Sequence, residues 1–251
     1  MIDLSFQLEM AHHPGKVRLV VLTLIALFPS FLKRTCYRWL FGYEIGKHVK
    51  IGFSVIDAKE CRIADETRIG HLNLFIGVEK LTMGDHVRIG HLNIFRGGNE
   101  ISLGRYSEVI RLNEINSIPD PIVVNPTDPR FLLGNGSIIA ASHKIDFTDR
   151  VEIGRRSILG GRNSSLWTHN RQRTLPIEIG SFVYIGSEIR IAPGGSLPSR
   201  SIVGIGSVVT RKIAEENSLI AGVPAQVVKP LKAEDRFLVE EKTRPDLPDD
   251  V

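Results

Sequence analysis

A six-residue repeat runs through most of this chain and constrains its fold more than any other feature. Each unit begins with an aliphatic residue followed by Gly or another small residue. The units are Ile45-Gly46, Ile51-Gly52, Ile63-Ala64, Ile69-Gly70, Met83-Gly84, Ile89-Gly90, Leu103-Gly104, Ile153-Gly154, Leu159-Gly160, Ile179-Gly180, Ile185-Gly186, Ile191-Ala192, Leu197-Pro198 and Val203-Gly204. Such units bury their aliphatic side chains only when each coil of the chain stacks on the next. The sequence therefore predicts an all-β fold, a parallel β-helix.

The spacing of the repeat predicts three-sided coils. Units that begin at Ile45 and Ile63 are eighteen residues apart, which allows three hexapeptides in each coil. The segment Arg68 to Phe75 (RIGHLNLF) also recurs as Arg88 to Phe95 (RIGHLNIF). Because stacked strands lie about 4.8 Å apart, we expect each residue of the first segment to lie over its counterpart in the second.

Composition narrows the classes of function. The formal net charge is only +4, and no basic stripe alternates with aromatic residues, so we expect no nucleic acid partner. Cys36 and Cys61 are the two cysteines, which supports neither a disulfide framework nor a CxxC metal pair. We therefore expect no metal site and a reducing, cytoplasmic location.

The first 42 residues are expected to form an N-terminal helical extension, helical from about Lys16 to Phe41. Its apolar run, Leu19 to Phe28, is shorter than the roughly 20 residues needed to span a bilayer, and Pro29 should break or kink the helix. Two interpretations stay open. The extension either caps the open end of the β-helix or makes peripheral contact with the inner face of a membrane, where anionic head groups would meet basic residues. Those residues are Lys16, Arg18, Lys33, Arg34 and Arg38.

Three regions follow from these patterns: the extension 1–42, a β-helix domain 43–230, and a short helix with an acidic tail at 231–251. The Pro-rich stretch 117–131 loses the repeat, and loops at 144–150 and 170–178 are expected to interrupt the coils. The tail at 245–251 is acidic and Pro-rich, which predicts disorder.

Two histidines precede these loops. His143 lies ten residues before Ile153 and His169 ten residues before Ile179, each directly after a hydroxyl residue. If the corners align, both histidines occupy the same corner of adjacent coils and are near neighbours. They would form a candidate catalytic pair at the root of two loops.

Three stretches resemble a known family. They are Thr168-His169 before a loop, the run PIEIGSFVYIGSEIRIAPGGSLPSRSIVGIGSVVTRKI, and the closing segment SLIAGVPAQVVK. Together they resemble the hexapeptide-repeat acyltransferases of the left-handed β-helix class. The likeness is greatest to the maltose, galactoside and exopolysaccharide O-acetyltransferases. Left-handed winding is implied by this resemblance, since periodicity alone does not supply it.

The resemblance also implies a site and its partners. Members of the family are homotrimers that bind acetyl-CoA in a groove between subunits, and a His before the loop acts as general base. That position is His169 here, with His143 as a second candidate. The resemblance places Ser187, Ile205, Thr210, Arg211 and Lys229 along the CoA groove, and it puts Trp167 and Tyr184 where an aromatic ring could stack on a sugar.

The leading hypothesis is a CoA-dependent O-acetyltransferase that acts on a sugar or glycolipid hydroxyl in the synthesis of a surface polysaccharide or lipopolysaccharide. No Ser or Cys nucleophile with a partner base is evident, which favours direct transfer. Alternatives are N-acylation of an amino sugar nucleotide, a γ-type carbonic anhydrase and a non-catalytic scaffold. The anhydrase needs three histidines on one zinc, and no third has a spacing that matches His143 and His169.

Overall fold

The computed structural model describes residues 15–118, 127–240, 247–248 and 250–251. Most of the expected Pro-rich crossing and part of the expected tail lie outside these residues. Within them the chain forms two N-terminal helices followed by stacked coils of short strands. The fold class expected from the sequence, a left-handed parallel β-helix with an N-terminal helical extension, is confirmed.

The strands stack as three ladders, one for each side of the coil. Two long strands, β3 (Val55–Ile63) and β5 (Leu74–Met83), turn a corner and belong to the third ladder at their start and to the first at their end. The other strands of the first ladder are β1 (Glu44–Ile45), β8 (Glu100–Leu103), β11 (Arg130–Leu133), β14 (Val151–Ile153), β17 (Ile177–Ile179) and β20 (Ser196–Leu197).

The second and third ladders complete the coil. The second consists of β2 (Lys50–Ile51), β4 (Arg68–Ile69), β6 (Arg88–His91), β9 (Glu108–Arg111), β12 (Ile138–Ala141), β15 (Ile158–Arg162), β18 (Tyr184–Ile185), β21 (Ile202–Val203) and β23 (Ser218–Gly222). The remaining strands of the third are β7 (Ile94–Arg96), β10 (Glu114–Asn116), β13 (Lys144–Asp146), β16 (Ser165–Trp167), β19 (Arg190–Ile191) and β22 (Val208–Val209). A final strand, β24 (Ala225–Pro230), pairs antiparallel with β23 and closes the second ladder.

The aliphatic residues of the repeat fill the interior, as the sequence predicts. Along the second ladder, the inward column has at most 3% exposure in Ile51, Ile69, Ile89, Val109, Ile139, Leu159, Ile185 and Val203. Each such side chain contributes about 1.5–3 kcal/mol by leaving water. The expected register is confirmed, because Arg68–Ile69 pairs with Arg88–Ile89 and the rings of Phe75 and Phe95 stack with centroids 4.4 Å apart.

A buried polar column runs along the corner between the second and third ladders. It consists of Ser54, Asn73, Asn93, Asn113, His143 and Ser164. The Asn93 amide donates to Oδ1 of Asn73 at 3.0 Å, and the Asn113 amide donates to Oδ1 of Asn93 at 3.0 Å. Each amide oxygen also accepts the backbone N–H one coil further on. Buried polar groups are tolerated when they are paired in this way, so the column fixes the register of the coils at this corner.

The N-terminal extension forms two helices, α1 (Lys16–Ala26) and α2 (Ser30–Phe41), which cover the first coil. They are separated at Pro29, where the sequence predicts a break. Neither helix is long and apolar enough to cross a bilayer, among the residues described.

The C-terminal end differs from expectation. The short helix expected at 233–241 is a single 3₁₀ turn, Arg236–Leu238. The predicted disorder of the tail is wrong for the residues described there, because Leu247 and Val251 are buried. The Arg156 guanidinium donates to the Val251 carbonyl at 2.7 Å. Apolar contact and this charged donor hold the segment in spite of its composition.

Candidate functional site

His169 lies just beyond strand β16, at the corner where the third ladder turns into the first. The chain folds back there, and His169 forms an antiparallel bridge with Thr174. Oδ1 of Asn170 stabilises the turn between them by accepting the backbone N–H groups of Gln172 (2.8 Å) and Arg173 (3.0 Å). The five extra residues of this loop therefore form a small ordered hairpin, and His169 stands at its base.

An aspartate holds the imidazole of His169. Nδ1 of His169 is 2.5 Å from Oδ2 of Asp146. A carboxylate accepts hydrogen bonds, so Nδ1 carries the proton and Nε2 has a lone pair. The His169 side chain is 24% exposed, whereas that of Asp146 is 7% exposed. The arrangement is a buried carboxylate behind a reachable basic nitrogen, which can accept a proton from a bound molecule.

Two threonines fix the orientation of Asp146. Oδ1 accepts the Thr148 hydroxyl at 2.6 Å and its N–H at 3.1 Å. Oδ2 accepts the Thr168 hydroxyl at 3.0 Å and its N–H at 3.1 Å, in addition to His169. Both carboxylate oxygens are thus held in place before any ligand arrives.

Sequence reasoning missed Asp146, although a signal for it exists. Strand β13 pairs with β16 so that Asp146 lies beside Trp167, two residues before His169. Finding this pair from the sequence requires the register across the third ladder. That register becomes visible only once Ile145 and Leu166 are recognised as the same inward position in successive coils.

The expectation that the two histidines share a corner is wrong. His143 precedes β13 and aligns with Ser164, whereas His169 follows β16 and lies at the next corner. The equal ten-residue spacing misleads. The hairpin lengthens the chain between His169 and Ile179, whereas no such loop lies between His143 and Ile153. His143 therefore lies one corner earlier in its coil than His169 does. His143 is therefore part of the buried polar column and not a neighbour of His169.

The surroundings of His143 are those of a structural residue. It is fully buried, its N–H donates to Oδ1 of Asn113 at 2.9 Å, and its Nδ1 accepts the N–H of Ser164 at 3.1 Å. Burial lowers the pKa of His143 to about 4, so the ring is neutral near pH 7. It continues the asparagine column with an imidazole in place of an amide.

The two aromatic candidates lie apart. Trp167 is 43% exposed, and its ring meets that of His169 edge-on with centroids 6.5 Å apart. Tyr184 lies on the second ladder and packs against a small cluster of Phe182, Leu231 and Val239. Only Trp167 is placed to contact a molecule bound at His169 of the same chain.

The residues expected along a CoA groove divide between two corners and the closing hairpin. Ser187 and Ile205 stack at the corner between the second and third ladders, where the Gly206 N–H donates to the Ser187 carbonyl at 3.0 Å. Thr210 and Arg211 follow β22 on the corner that also carries His169. Lys229 lies in β24, with its ammonium 3.9 Å from an Asp235 carboxylate oxygen.

A cavity beside Arg211 could hold a phosphate-bearing ligand. It has a volume of about 400 Å³ and is lined by Arg211, Lys212, Ile213, Ala225, Gln226 and Val227. Its two cationic side chains suit phosphate groups, and its apolar residues suit the uncharged arm of a carrier. No group of three His, Cys, Asp or Glu side chains within the described ranges could hold a metal ion.

Comparison with known proteins bears on the class of protein. No family model matches the chain. Over 63 residues the chain is 40% identical to the galactoside O-acetyltransferase of Escherichia coli K12, a match that covers 25% of this chain and 30% of that enzyme. The chain thus spans less than a third of the length of this curated relative.

Two solved structures align along most of the chain at low identity. One is a hexapeptide-repeat acetyltransferase of Vibrio cholerae complexed with acetyl coenzyme A, with 15% identity, a TM-score of 0.37 and coverage of 91% of this chain and 84% of that one. The other is the polySia-specific acetyltransferase NeuO, with 19% identity, a TM-score of 0.42 and coverage of 75% and 81%. Matches at these TM-scores do not bear on activity. The resemblance to hexapeptide-repeat acetyltransferases is confirmed over the matched segment.

Proposed function

We propose that this chain is an acetyl-CoA-dependent O-acetyltransferase that acts on a sugar hydroxyl. One observation carries the proposal: a buried Asp146 carboxylate orients His169 so that its basic nitrogen faces a reachable corner. The partial match to a galactoside O-acetyltransferase supports the same class. A sugar of a surface polysaccharide or lipopolysaccharide is the proposed acceptor.

Direct transfer would use the two site residues in turn. Acetyl-CoA supplies an activated thioester. His169 Nε2 takes the proton of the acceptor hydroxyl as the oxygen attacks the carbonyl, and it later passes that proton to the departing thiolate. Asp146 stabilises the imidazolium that exists between these two steps and keeps Nδ1 protonated throughout. General base catalysis of this kind contributes about 10²–10⁴-fold.

Trp167 would supply the face against which the acceptor sugar lies. Its ring is exposed at the corner of His169. A flat indole presents apolar surface to the C–H groups of a sugar and leaves the hydroxyl groups free for other partners. This contact would hold the reacting hydroxyl beside Nε2 of His169.

An apolar ridge supports the assembly of three copies. Exposed side chains follow the corner between the second and third ladders, with Leu72 at 60%, Leu92 at 47% and Leu112 at 49%. All three have φ between +58° and +60°, a backbone region that costs a bulky residue about 1–2 kcal/mol. Unfavourable backbone with an exposed apolar side chain points to a contact made outside the subunit.

This ridge lies along the corner that carries Ser187 and Ile205, whereas His169 is on the next corner. A second copy packed along the ridge would bring one subunit's Ser187 and Ile205 towards the other subunit's His169. A homotrimer with its sites between subunits follows from such packing, because each copy then offers both corners.

Acetyl-CoA binding, followed by an acceptor screen, tests the proposed function. We expect calorimetry to show micromolar binding of acetyl-CoA and a thiol-specific dye to report CoA release with a sugar acceptor. The product should be an ester that mild alkali cleaves. An alkali-stable amide would indicate N-acylation instead, and failure to bind acetyl-CoA would contradict the proposal.

A further inference from the structure

The N-terminal helix pair buries Leu22, Ile25 and Tyr37 against the β-helix but leaves most of its large apolar side chains exposed to solvent. Three basic residues donate to carbonyl groups that the first coil leaves open. Arg18 donates to Ala58 at 2.9 Å and Lys33 to Ile51 at 3.2 Å, and Arg38 donates to Ile45. These contacts lie on the first ladder, on the second ladder and at the corner where β3 turns from the third ladder into the first. They take the place of a preceding coil and fix which side of each helix faces inward.

Large apolar side chains cover the opposite side of the pair. We call this side the outer face; it consists of Leu19 (37% exposed), Val20 (59%), Leu24 (55%), Leu27 (64%), Phe28 (41%), Phe31 (60%), Leu32 (41%), Trp39 (86%) and Leu40 (63%). Such a contiguous apolar surface marks an interaction site on a protein.

Threonines within the outer face do not make it polar. The Thr23 hydroxyl donates to the Leu19 carbonyl at 2.8 Å, and the Thr35 hydroxyl donates to the Phe31 carbonyl at 3.2 Å. Both hydroxyls are therefore satisfied within their own helices, as is common in apolar surroundings.

Exposed basic residues lie beside the outer face. Residues 15–53 contain seven Lys or Arg and one acidic residue, Glu44; three of the basic residues, Arg18, Lys33 and Arg38, donate to the first coil. Lys47 and Lys50, on the first coil beside the helices, are exposed, and Arg34 is partly exposed. An apolar face with a cationic rim matches the boundary of an anionic membrane, where acyl chains lie beneath negative head groups. A protein partner of average composition would not require both features together.

We propose that the outer face is a binding surface for anionic lipid membranes. Two short helices joined at Pro29 would lie in the plane of the interface, with the outer face among the acyl chains and the basic rim at the head groups. This inference goes beyond the proposed acetyl transfer and does not depend on it. The β-helix would then project from the membrane, with its first coil as the coil nearest to the surface.

Fluorescence of Trp39 gives a direct test with the full chain. The protein has two tryptophans, Trp39 and Trp167, so a Trp167→Phe variant reports on Trp39 alone. Trp39 is 86% exposed. Its emission should shift to shorter wavelength when vesicles of phosphatidylcholine and phosphatidylglycerol are added, and added salt should weaken the response. No shift with these vesicles would overturn the proposal.

Cosedimentation with matched variants separates lipid binding from other contacts. Leu24→Ser with Phe31→Ser should weaken binding to the same vesicles by at least about tenfold, since two apolar side chains no longer leave water. Phe237→Ser is the control, because Phe237 is 63% exposed but lies near the other end of the β-helix. Circular dichroism should show all variants folded.

Two outcomes of this comparison would contradict the lipid surface. Equal vesicle binding by the double variant and the control would show that the outer face is not involved. A second copy of the chain is the other candidate occupant. If the wild type ignores vesicles and the double variant sediments as a smaller assembly, the outer face is an interface between copies.

Discussion

The position of one proton distinguishes His169 from the other histidines of this chain. The carboxylate of Asp146 lies against Nδ1 at 2.5 Å and therefore leaves Nε2 as the basic nitrogen. In three other histidines, His71, His91 and His143, Nδ1 accepts a backbone N–H. His71 and His91 also stack, with ring centroids 5.5 Å apart. A partner carboxylate, and not exposure alone, marks the candidate base.

Replacing Asp146 by Asn should lower kcat by about 10²-fold or more, with a small effect on KM. The amide no longer stabilises the imidazolium or fixes the tautomer. Asp149→Asn is the matched control, since Asp149 is equally buried but its Oδ1 accepts from the backbone of Asp128 and Arg150. Steady-state kinetics at equal folded fraction check this. Equal losses of kcat in both variants would argue against a specific Asp146–His169 pair.

The buried His143 should make the stability of the folded protein depend on pH. It should not make the activity depend on pH. Burial lowers its pKa to about 4, whereas the unfolded value is about 6.5. Between these values the unfolded chain binds a proton that the native chain does not. The contribution of His143 to the free energy of unfolding is therefore complete above pH 6.5. It is lost as the pH falls towards 4, by an amount on the order of 3 kcal/mol.

A His143→Asn variant isolates this effect, because asparagine continues the column of Asn73, Asn93 and Asn113. We expect the variant to keep wild-type kcat and to lose less unfolding free energy than the wild type between pH 6.5 and pH 4. Urea titrations across this range measure the difference. A large loss of kcat would instead indicate that His143 takes part in catalysis.

Single residues were the least predictable level of this structure. His169 was found because it precedes a loop in a resembling stretch, whereas Asp146 depends on pairing between β13 and β16. The chain between the two strands contains a register shift where β12 pairs with β15, so counting along the chain does not reveal the pairing. The predicted corner for His143 is wrong for another reason, because the hairpin lies between His169 and Ile179 and makes two equal spacings end at different corners.

At the scale of elements, the hexapeptide repeat specifies the strands because each inward aliphatic residue is needed to fill the coil. Ile69 over Ile89 and Phe75 over Phe95 follow from that requirement together with the recurrence of the segment 68–75 at 88–95. The break at Pro29 also follows from local chemistry, since proline lacks the N–H that a continuous helix would use. The docking of Val251 on Arg156 does not, because it depends on a long-range contact that composition does not encode.

The leucine ridge gives a prediction at this scale. In Leu92→Asn with Leu112→Asn the new residues tolerate the positive φ, so each subunit should fold while the apolar contact is removed. We expect sedimentation velocity to show a smaller assembly and activity to fall with it. Phe237→Asn, at another exposed apolar position, should change neither. An unaltered assembly in the double variant would show that the ridge is not an interface.

At the scale of the whole molecule, the helix pair and His169 lie at a defined separation. The helices cover the first coil, and His169 follows β16 in the sixth. At about 4.8 Å for each coil, this puts the candidate site roughly 24 Å above the first coil, and the helices, about 10 Å thick, add to its distance from the outer face. If the outer face rests on a membrane, the site lies beyond the head groups, where a sugar carried on a lipid could reach it.

This separation predicts how membranes affect turnover. Anionic vesicles should raise kcat/KM for an acceptor embedded in them and leave it unchanged for the same sugar free in solution. The Leu24→Ser, Phe31→Ser double variant should lose the enhancement and keep the solution rate. Thiol release with both forms of the acceptor measures this. An equal effect of vesicles on both acceptors would show that the membrane contact does not favour the acceptor carried on a lipid.

The most direct test of the account compares acetyl transfer by the wild type and by His169→Ala, with acetyl-CoA affinity measured on the same samples. We predict that the variant binds acetyl-CoA as tightly as the wild type, stays folded and assembled, and transfers acetyl groups about 10²–10⁴-fold more slowly. Near-wild-type transfer by the variant would contradict the role assigned to His169 and to the Asp146 carboxylate behind it.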